Sequence, residues 1–301
     1  MSSPSVAAIV LNYNAKQLTL ETLASLRGLR YDNLHVIHVD NDSTDGTHEA
    51  VEEQFPEVEA IQSGENLGVA GGLNVGIRRA LEGDYDYLLI LNNDIEVDPA
   101  MLDELMAVAE SDPRIGCVGP KSYFYWDRQR LWSAGGVLRF KESITRERGN
   151  GQLDEGQFDR DEEMDYINGC AMLVRASVVR EVGLCDTIYF LALEDADWCV
   201  RMKQRGYRCF YAHKARLWHM VSQSTGVYKP FRTYQTGRST AIFVRRYANR
   251  SERLSFFFFM ALAIPMAFTR ELLKGNQEAA LSKLRGVLAG LKTPLTPPPT
   301  V

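Results

Sequence analysis

Short apolar runs alternate with polar turns and helical patterns along residues 6–130 of the chain. This alternation is typical of an open α/β sheet with helices packed against it. The apolar runs predict strands over residues 6–11, 34–39, 58–62, 87–91 and 115–118. The segments between them have helical spacing, and helices are predicted near residues 17–26, 47–54, 71–81 and 100–110.

The pattern changes in the second half of the chain. Residues 141–164 are rich in Gly, Asp, Glu and Arg and have little apolar periodicity, so they are predicted to form a mobile excursion. Regular structure is predicted to resume over residues 166–174. A helix is predicted over residues 195–204, and Gly206 ends it.

An uncharged run of 15 residues, LSFFFFMALAIPMAF, occupies residues 254–268. As a helix it covers about 22 Å, against roughly 30 Å of bilayer hydrocarbon, so it is too short to span comfortably. Flanking arginines favour a helix that lies on an anionic membrane surface, although a helix buried in the protein core remains an alternative. These arginines are Arg245, Arg246, Arg250, Arg253 and Arg270.

These patterns divide the chain into three parts. We expect one α/β domain over residues 1–247 and a helical, membrane-peripheral region over residues 248–292. Residues 293–301 are rich in proline and are predicted to be disordered. The apolar stretch near the N-terminus is short and lacks a basic segment before it, so no signal peptide is predicted.

Composition and charge limit the classes of protein. Hydrophobic residues make up 45% of the chain, which excludes a disordered protein. The formal net charge of −5 argues against a nucleic-acid partner, because phosphate backbones are bound by clustered Lys and Arg. The five cysteines are widely spaced and lack a CxxC pair, which indicates neither a disulfide framework nor a zinc site. We expect them to be reduced and mostly buried in a cytoplasmic protein.

Polar residues follow the first two predicted strands, in VLNYN and HVDNDSTDGT. Ligands of open α/β sheets bind where the carboxyl ends of the strands face a crevice, so these residues are candidate contacts. Tyr13 is suited to stack on a base, and Asp40 or Asn41 is suited to pair with a pyrimidine edge. The alternative is that the acids of this cluster only stabilise turns and helix starts.

A glycine-rich segment, ENLGVAGGLNVGIRRA, follows the third strand. Its glycines permit close backbone approach to a phosphate at a helix N-terminus. The spacing is not that of a dinucleotide-binding motif, which would also follow the first strand. A loop with glycines that allow close helix packing is an equally good interpretation.

The apolar strand in LLILNNDIEVDP ends on Asn92, Asn93 and Asp94. A carboxylate at the exit of a buried strand is well placed to hold Mg²⁺ or Mn²⁺, with diphosphate oxygens completing the coordination shell. The alternative is a polar turn that only ends the strand.

Two further segments carry candidate chemistry. In FLALEDADWCVRM, apolar residues follow Asp195 by three, four and seven positions, so Asp195 lies on the inward side of a helix at its start. That position suits a general base, although Glu194 and Asp195 also suit the first turn of any helix. His219 follows an apolar stretch, and a lone histidine is more often structural than a ligand.

In this order and with this spacing, the segments resemble the inverting family-2 glycosyltransferases. Within that family the likeness is to the branch of rhamnosyl- and galactofuranosyl-transferase-like proteins. It covers residues 5–247 and includes VDNDSTDGT, ENLGVAGGLN, LNNDIEVDP, INGCAMLVR, VGLCDTIYFLALEDADWCVRMKQRGY, and His219 with Ser224. The resemblance implies a GT-A fold, which is a Rossmann-like mixed open sheet flanked by helices, with a C-terminal helical appendage that associates with a membrane.

The resemblance also implies roles for individual residues. Asp195 matches the general base, and Glu194 and Trp198 are expected near the acceptor. Asp94 matches the final acid of the DxD motif, which here has lost its first carboxylate, so metal binding should depend on Asp94 and His219. The residues expected to bind the nucleotide sugar are Tyr13, Asp40, Asn41, Asn66, Gly72, Asn74, Asn92, Asn93 and Asp94.

The implied reaction is a single inverting displacement that needs Mg²⁺ or Mn²⁺. The resemblance favours rhamnose from dTDP-rhamnose, with galactofuranose from UDP-galactofuranose as the alternative. The expected acceptor is a glycan or lipid-linked glycan in cell-surface polysaccharide synthesis, at the inner face of the plasma membrane. A sugar-1-phosphate nucleotidyltransferase is disfavoured, because VLNYNAKQ is not a phosphate-gripping loop. A catalytically silent, glycan-binding membrane scaffold is disfavoured by the joint presence of Asp94, Asp195 and His219.

Overall fold

The computed structural model describes residues 3–141, 143–221, 229–274 and 277–301, so Ser224 of the sequence motif lies outside the described residues. The strands are β1 (Val6–Asn12), β2 (Leu34–Asp40), β3 (Glu59–Gln62), β4 (Tyr87–Asn92), β5 (Ile95–Val97), β6 (Ile115–Phe124), β7 (Asp127–Ser133), β8 (Gly136–Leu138), β9 (Thr145–Glu147), β10 (Glu162–Met164), β11 (Ala171–Arg175) and β12 (Arg208–His219). The helices are α1 (Lys16–Leu26), α2 (Thr47–Gln54), α3 (Gly68–Leu81), α4 (Met101–Ala109), α5 (Ala176–Val182), α6 (Glu194–Gln204), α7 (Pro230–Tyr247), α8 (Arg250–Leu273) and α9 (Gln277–Lys292).

A mixed open sheet organises the fold. Its strand order is β10-β12-β6-β11-β4-β1-β2-β3, with β5 added beside β12 and β7 beside β6. The pairs β1–β2, β1–β4, β2–β3 and β6–β12 are parallel, whereas β11 runs antiparallel to β4 and β6. Helices cover both faces, which is why β1 and β4 are continuous apolar runs rather than alternating ones. The expected α/β architecture is confirmed.

The predicted strands and helices of the first half are present, with small shifts at their ends. The largest difference is β6, which continues six residues beyond the predicted end at residue 118. Helix α3 begins at Gly68, earlier than predicted, and α4 begins one residue late. The carboxylate of Asp98 accepts a hydrogen bond from the amide of Ala100 at 2.9 Å, which stabilises the turn before α4.

The segment 141–164 differs from the mobile excursion that was predicted. Strand β9 pairs with β8 in a small two-stranded sheet, and β10 joins the edge of the main sheet. Lys121 is buried on β6, and its ammonium group pairs with the carboxylate of Asp154 at 3.0 Å and with Asp159. Asp154 and Asp159 therefore attach the segment to the domain, because the charge of a buried lysine has to be paired with acidic groups.

The C-terminal helices pack closely with each other. A side chain at Gly286 of α9 would overlap the backbone carbonyl of Tyr234 on α7, and one at Gly290 would overlap that of Arg238. Glycines are therefore required where these two helix backbones meet. The predicted division into domains is not tested by these contacts and stays a prediction.

Helix α8 is mostly exposed. Phe256 and Met260 are buried against the domain, whereas the opposite face presents Phe258 and Leu262 to solvent. A stretch of 21 residues, Arg250–Arg270, has a mean hydropathy of 1.3 and is 12% buried, so by length and composition alone it could cross a membrane. The helix extends beyond the uncharged run of 15 residues, so it is no longer too short to span a bilayer. The alternative prediction, a helix buried in the protein core, is wrong, because most of α8 is exposed.

The C-terminal tail also differs from the predicted disorder. It forms no helix or strand, but the carbonyl of Pro299 accepts a hydrogen bond from the amide of Leu184 at 3.0 Å. The carbonyl of Thr296 accepts one from the guanidinium of Arg246 at 2.6 Å. Proline has no backbone N–H group but retains its carbonyl oxygen. The proline-rich tail is therefore attached to the domain through carbonyl oxygens that accept hydrogen bonds.

Candidate active site

A cleft of about 710 Å³ lies at the carboxyl ends of the parallel strands. Its position follows from the topology, since β1, β2 and β4 are parallel and end side by side. Most of the residues predicted from the sequence line this cleft. They are Tyr13, Asn41, Asn66, Asn92, Asn93, Asp94, Glu194, Asp195, Trp198 and His219.

The pairing of two short segments brings Asp94 and His219 together. Strand β5 begins directly after Asp94 and pairs with the end of β12, where Ile95 lies opposite His219. The Nε2 atom of His219 lies 3.1 Å from Oδ1 of Asp94, and both side chains are buried. The indole of Trp132 packs edge-on against the imidazole, with ring centroids 4.4 Å apart. The two groups are therefore held in place before any ligand binds.

The chemistry of this pair fits a divalent cation. Burial disfavours the charged imidazole, but interactions with Cys170 and Asp94 outweigh it and raise the pKa of His219 to about 10. In place of that proton, the deprotonated imidazole of His219 and the carboxylate of Asp94 would hold a divalent cation. The carboxylate suits Mg²⁺ or Mn²⁺, and the imidazole is a ligand that transition metals accept more readily than Mg²⁺ does. Two protein ligands leave room for diphosphate oxygens.

Within the Asn92-Asn93-Asp94 turn, the side chain of Asn93 hydrogen-bonds to neighbouring elements of the domain. The amide of Asn93 donates to Oδ1 of Asn12 at 2.9 Å and to the hydroxyl of Thr19 at 3.0 Å. Asn93 therefore fixes the turn, which places Asn92 and Asp94 in the lining of the cleft. Asn12 was not identified from the sequence, although it stands at the end of β1 beside Tyr13.

Asp195 is held by backbone amides on the opposite wall of the cleft. The amide of Gly169 donates to its Oδ2 at 2.9 Å, and the amide of Ala196 donates to its Oδ1 at 2.7 Å. Two consecutive residues before α6, Ala192 and Leu193, have positive φ angles of 68° and 72°. Such conformations are unfavourable for residues other than glycine, and they direct the first turn of α6 into the cleft.

The two acids at the start of α6 have pKa values in the range of a general base. Burial raises the pKa of Asp195 to about 6, although hydrogen bonds from backbone amides oppose the increase. Burial and the neighbouring charge of Asp195 raise the pKa of Glu194 to about 8. The Oε2 atom of Glu194 is buried and has no hydrogen-bond partner among the described residues. Carboxylates poised near neutral pH are what proton transfer at physiological pH requires.

A third carboxylate, that of Glu147, interacts electrostatically with Asp195 and was missed by the sequence reasoning. It accepts hydrogen bonds from Ser133, Tyr166 and the side-chain amide of Asn168. Asn168 directly precedes Gly169, so Glu147 fixes the turn that presents the Gly169 amide to Asp195. No sequence signal distinguished it, because Glu147 lies in the charged segment predicted to be mobile.

Arg232 was also missed by the sequence reasoning. It lies on the first turn of α7 and lines the cleft, and it interacts electrostatically with Asp94. Burial lowers the pKa of its guanidinium. Arginine retains its charge under such conditions, so the cleft contains a fixed cation in addition to its acids.

Three predicted contacts do not face the cleft. Asp40 is fully buried and accepts hydrogen bonds from the amide of Ser43 at 2.6 Å and from Asn12. Asn74 exchanges two hydrogen bonds with the backbone of Cys185, and it is buried as well. Gly72 packs against Leu11 and Asn41, where a side chain would clash. These residues support the walls of the site, as the turn and packing alternatives for their segments suggested.

Two cleft residues also have structural contacts. The indole nitrogen of Trp198 donates to the carbonyl of Gly183 at 2.9 Å, and only 2% of the residue is exposed, so it forms part of the wall. The amide of Asn41 donates to Asn66 and to the carbonyl of Gly68. Asn41 therefore positions the loop that carries Asn66, and it reaches the cleft mainly through that loop.

The chain matches the model for Glycosyl transferase family 2 over residues 7–183. A relative from Mycobacterium tuberculosis, an N-acetylglucosaminyl-diphospho-decaprenol L-rhamnosyltransferase, is 28% identical over 225 residues, which cover 68% of this chain and 72% of the relative. The poly-beta-1,6-N-acetyl-D-glucosamine synthase of Staphylococcus aureus is 26% identical over 216 residues. That alignment covers 71% of this chain and 49% of the synthase, so the chain spans about half the length of the synthase.

Solved structures show the same fold. A mannosyltransferase from Pyrobaculum calidifontis, in complex with GDP-Man and Mn²⁺, superposes with a TM-score of 0.60 at 16% identity and covers 96% of this chain and 87% of its own. GalNAc-T7 with UDP, GalNAc and Mn²⁺ has a TM-score of 0.65 at 14% identity. That match covers 81% of this chain and 49% of GalNAc-T7, about half its length. With more than half of its residues matched by the family model, the chain belongs to glycosyl transferase family 2, has the GT-A fold and is a glycosyltransferase.

Proposed function

We propose that this enzyme is a metal-dependent, inverting glycosyltransferase that transfers rhamnose from dTDP-rhamnose to a glycan or lipid-linked glycan. The observation that carries the proposal is the presence in one cleft of an amide-held Asp195 and a buried Asp94–His219 pair. The first group suits proton abstraction from an acceptor, and the second suits a cation that binds a diphosphate. The choice of rhamnose is supported by the similarity to a rhamnosyltransferase.

Asp195 acts as the general base in this proposal. It takes the proton from the acceptor hydroxyl while that oxygen attacks the anomeric carbon, and the bond to the nucleotide diphosphate breaks in the same displacement. The amides of Gly169 and Ala196 fix the carboxylate, so that its orientation does not depend on the acceptor. Glu194, whose Oε2 atom has no hydrogen-bond partner among the described residues, is assigned to the acceptor.

The donor is assigned to the opposite wall. Asp94 and His219 hold the divalent cation, which supplies positive charge to stabilise the departing diphosphate. Arg232 adds a second positive charge from α7. Tyr13 is 47% exposed at the rim of the cleft, so its ring is available to stack on the base. We assign Asn66 to a contact with the nucleotide of the donor and Asn92 to a contact with its sugar.

Thermal stabilisation by nucleotide sugars tests this assignment. Any ligand that binds only the folded enzyme raises its melting temperature, by about 2.7 kcal/mol of stability at one hundred times its Kd. We expect dTDP-rhamnose with Mn²⁺ to raise the Tm by about 4 °C, since an unfolding entropy of about 2.1 cal/mol/K per residue makes each kcal/mol worth about 1.6 °C in a chain of 301 residues. The same donor with excess chelator should have little effect. Stabilisation by UDP-galactofuranose but not by dTDP-rhamnose would contradict the assigned donor.

We further propose that α8 attaches the enzyme to the cytoplasmic face of the plasma membrane without spanning it. One face of the helix belongs to the protein core through Phe256 and Met260, and a spanning helix would have to leave that contact. The other face exposes Phe257, Phe258 and Leu262. Arg250 and Arg253 lie at the start of the helix and Arg270 in its last turn. This arrangement suits a helix that lies in the interface of an anionic bilayer.

Flotation with anionic liposomes measures this attachment. Changing Phe258 and Leu262 together to Asp should abolish most of the flotation, because both side chains are exposed and neither supports the core. Trp126→Asp is the matched control, since Trp126 is 73% exposed in the turn between β6 and β7, away from α8. Equal flotation of the double variant and wild type would refute the attachment through α8.

A further inference from the structure

The fold brings together three cysteines that are far apart in the sequence. Cys117 on β6 lies directly beside Cys209 on β12 in the parallel register of these strands. Cys199 on α6 packs over them, and all three sulfur atoms lie within 4.8 Å of one another. Each side chain is at most 1% exposed. The cluster is thus a tripod of thiols between the sheet and the helix that carries Asp195.

We propose that this tripod is a binding site for a thiophilic divalent cation of the Zn²⁺ or Cd²⁺ type, separate from the Asp94–His219 pair. Zinc–sulfur bonds are about 2.3 Å long, so three sulfurs around one such ion lie about 3.8 to 4.0 Å apart. The Sγ atoms of Cys117 and Cys199 are already 3.9 Å apart. The site therefore needs only a small contraction around the ion, without a change of fold.

The surroundings of the tripod also fit a bound ion. The carbonyl of Ile167 lies 3.7 Å from the sulfur of Cys199, and the carbonyl of Cys199 lies 3.9 Å from the sulfur of Cys209. Either carbonyl is a candidate fourth ligand. Three thiolates and a divalent ion leave one negative charge. Lys203 on α6, which also pairs with Glu163 and Asp165, interacts favourably with a charged Cys209.

The spacing of these cysteines explains why no metal site was evident from the pattern of residues along the chain. Metal motifs are recognised from ligands a few residues apart, whereas Cys117 and Cys199 are separated by 82 residues. The consequence of binding would be structural. An ion at this point links α6 to β6 and β12, one turn beyond Asp195, and should stabilise the catalytic helix.

The test uses Cd²⁺ and the full chain with Cys170 and Cys185 both changed to Ala. Because the protein has five cysteines, this variant keeps only the three of the tripod. Thiolate-to-cadmium charge transfer absorbs in the ultraviolet, and the Asp94–His219 pair of this variant contains no thiolate. We expect an absorption band that saturates at one ion per chain, and an increase in Tm of about 5 °C or more.

Cys199→Ala in the same background should remove the band. The titration of the three-cysteine variant does not depend on whether this further variant folds. A three-cysteine protein that shows no charge-transfer band at saturating Cd²⁺, under reducing conditions, would overturn the proposal and leave the cluster as core packing. A band that persists after Cys199→Ala with undiminished intensity would also overturn it, because the tripod would then not be the ligand set.

Discussion

The Asp195→Asn enzyme is expected to lose turnover by about 10²- to 10⁴-fold while its donor affinity stays nearly unchanged. The substitution preserves the shape of the side chain, and its remaining oxygen can still accept a hydrogen bond from Gly169 or Ala196. The amide cannot accept the proton of the acceptor hydroxyl, and general-base catalysis typically contributes a factor of this size. A base acts only in the transition state, so the loss should appear in kcat rather than in donor binding.

Glu194→Gln is the matched control, because it removes the neighbouring carboxylate from the same turn of α6. We expect it to affect the KM for the acceptor more than the turnover. If Asp195 were only a residue of the first helical turn, Asn would replace it well, since the two rank alike as helix caps. Turnover of Asp195→Asn within about tenfold of wild type would rule out the role as base.

The pH dependence gives a second measure of the same residue. Because burial raises the pKa of Asp195 to about 6, the carboxylate is protonated and inactive below that pH. The kcat/KM of wild type should therefore fall as the pH decreases through about 6. The apparent value belongs to the coupled Glu194–Asp195 pair rather than to one carboxyl group. In Asp195→Asn the residual activity should lack this dependence.

The parts of the site that could be predicted are those fixed by local pattern. Strand β4 is a continuous apolar run, so its end and the cleft residue Asp94 could be located from the sequence alone. The start of α6 was likewise evident, because the apolar residues after Asp195 have helical spacing. In both cases one segment of chain is sufficient to define which side of an element faces the interior.

The parts that could not be predicted depend on contacts between distant segments. Asp40 stands at a strand end like its neighbours, but its hydrogen bonds to Ser43 and Asn12 hold it outside the cleft. Asn93 lines the cleft, but its amide is already used by Asn12 and Thr19. Glu147 is indistinguishable from the other acids of its charged segment until β9 pairs with β8. A pattern along the chain shows which residues are polar, but it does not show which groups they form hydrogen bonds with in the folded protein.

Removing either proposed metal ligand should weaken metal-dependent binding of the nucleotide diphosphate by more than about a hundredfold. Loss of residues that merely orient a metal ligand costs about 10- to 100-fold in affinity, so loss of a direct ligand should cost more. The motif supplies a single carboxylate, and the cleft face of the Asn92-Asn93-Asp94 turn has no second acid to replace Asp94. Calorimetry on Asp94→Ala and His219→Ala, with and without Mn²⁺, measures the effect.

Two features of the structure make this experiment decisive for the cation site. Asp42→Asn is the control for a general loss of negative charge, because Asp42 is exposed at the end of β2 and Asn tolerates its φ of 69°. It should bind nucleotide and Mn²⁺ like wild type. Arg232 remains in both ligand variants, so the weak metal-independent binding that it supports should persist and show that the cleft is intact. If Mn²⁺ strengthened nucleotide binding equally in wild type, Asp94→Ala and His219→Ala, the cation would have to be held elsewhere.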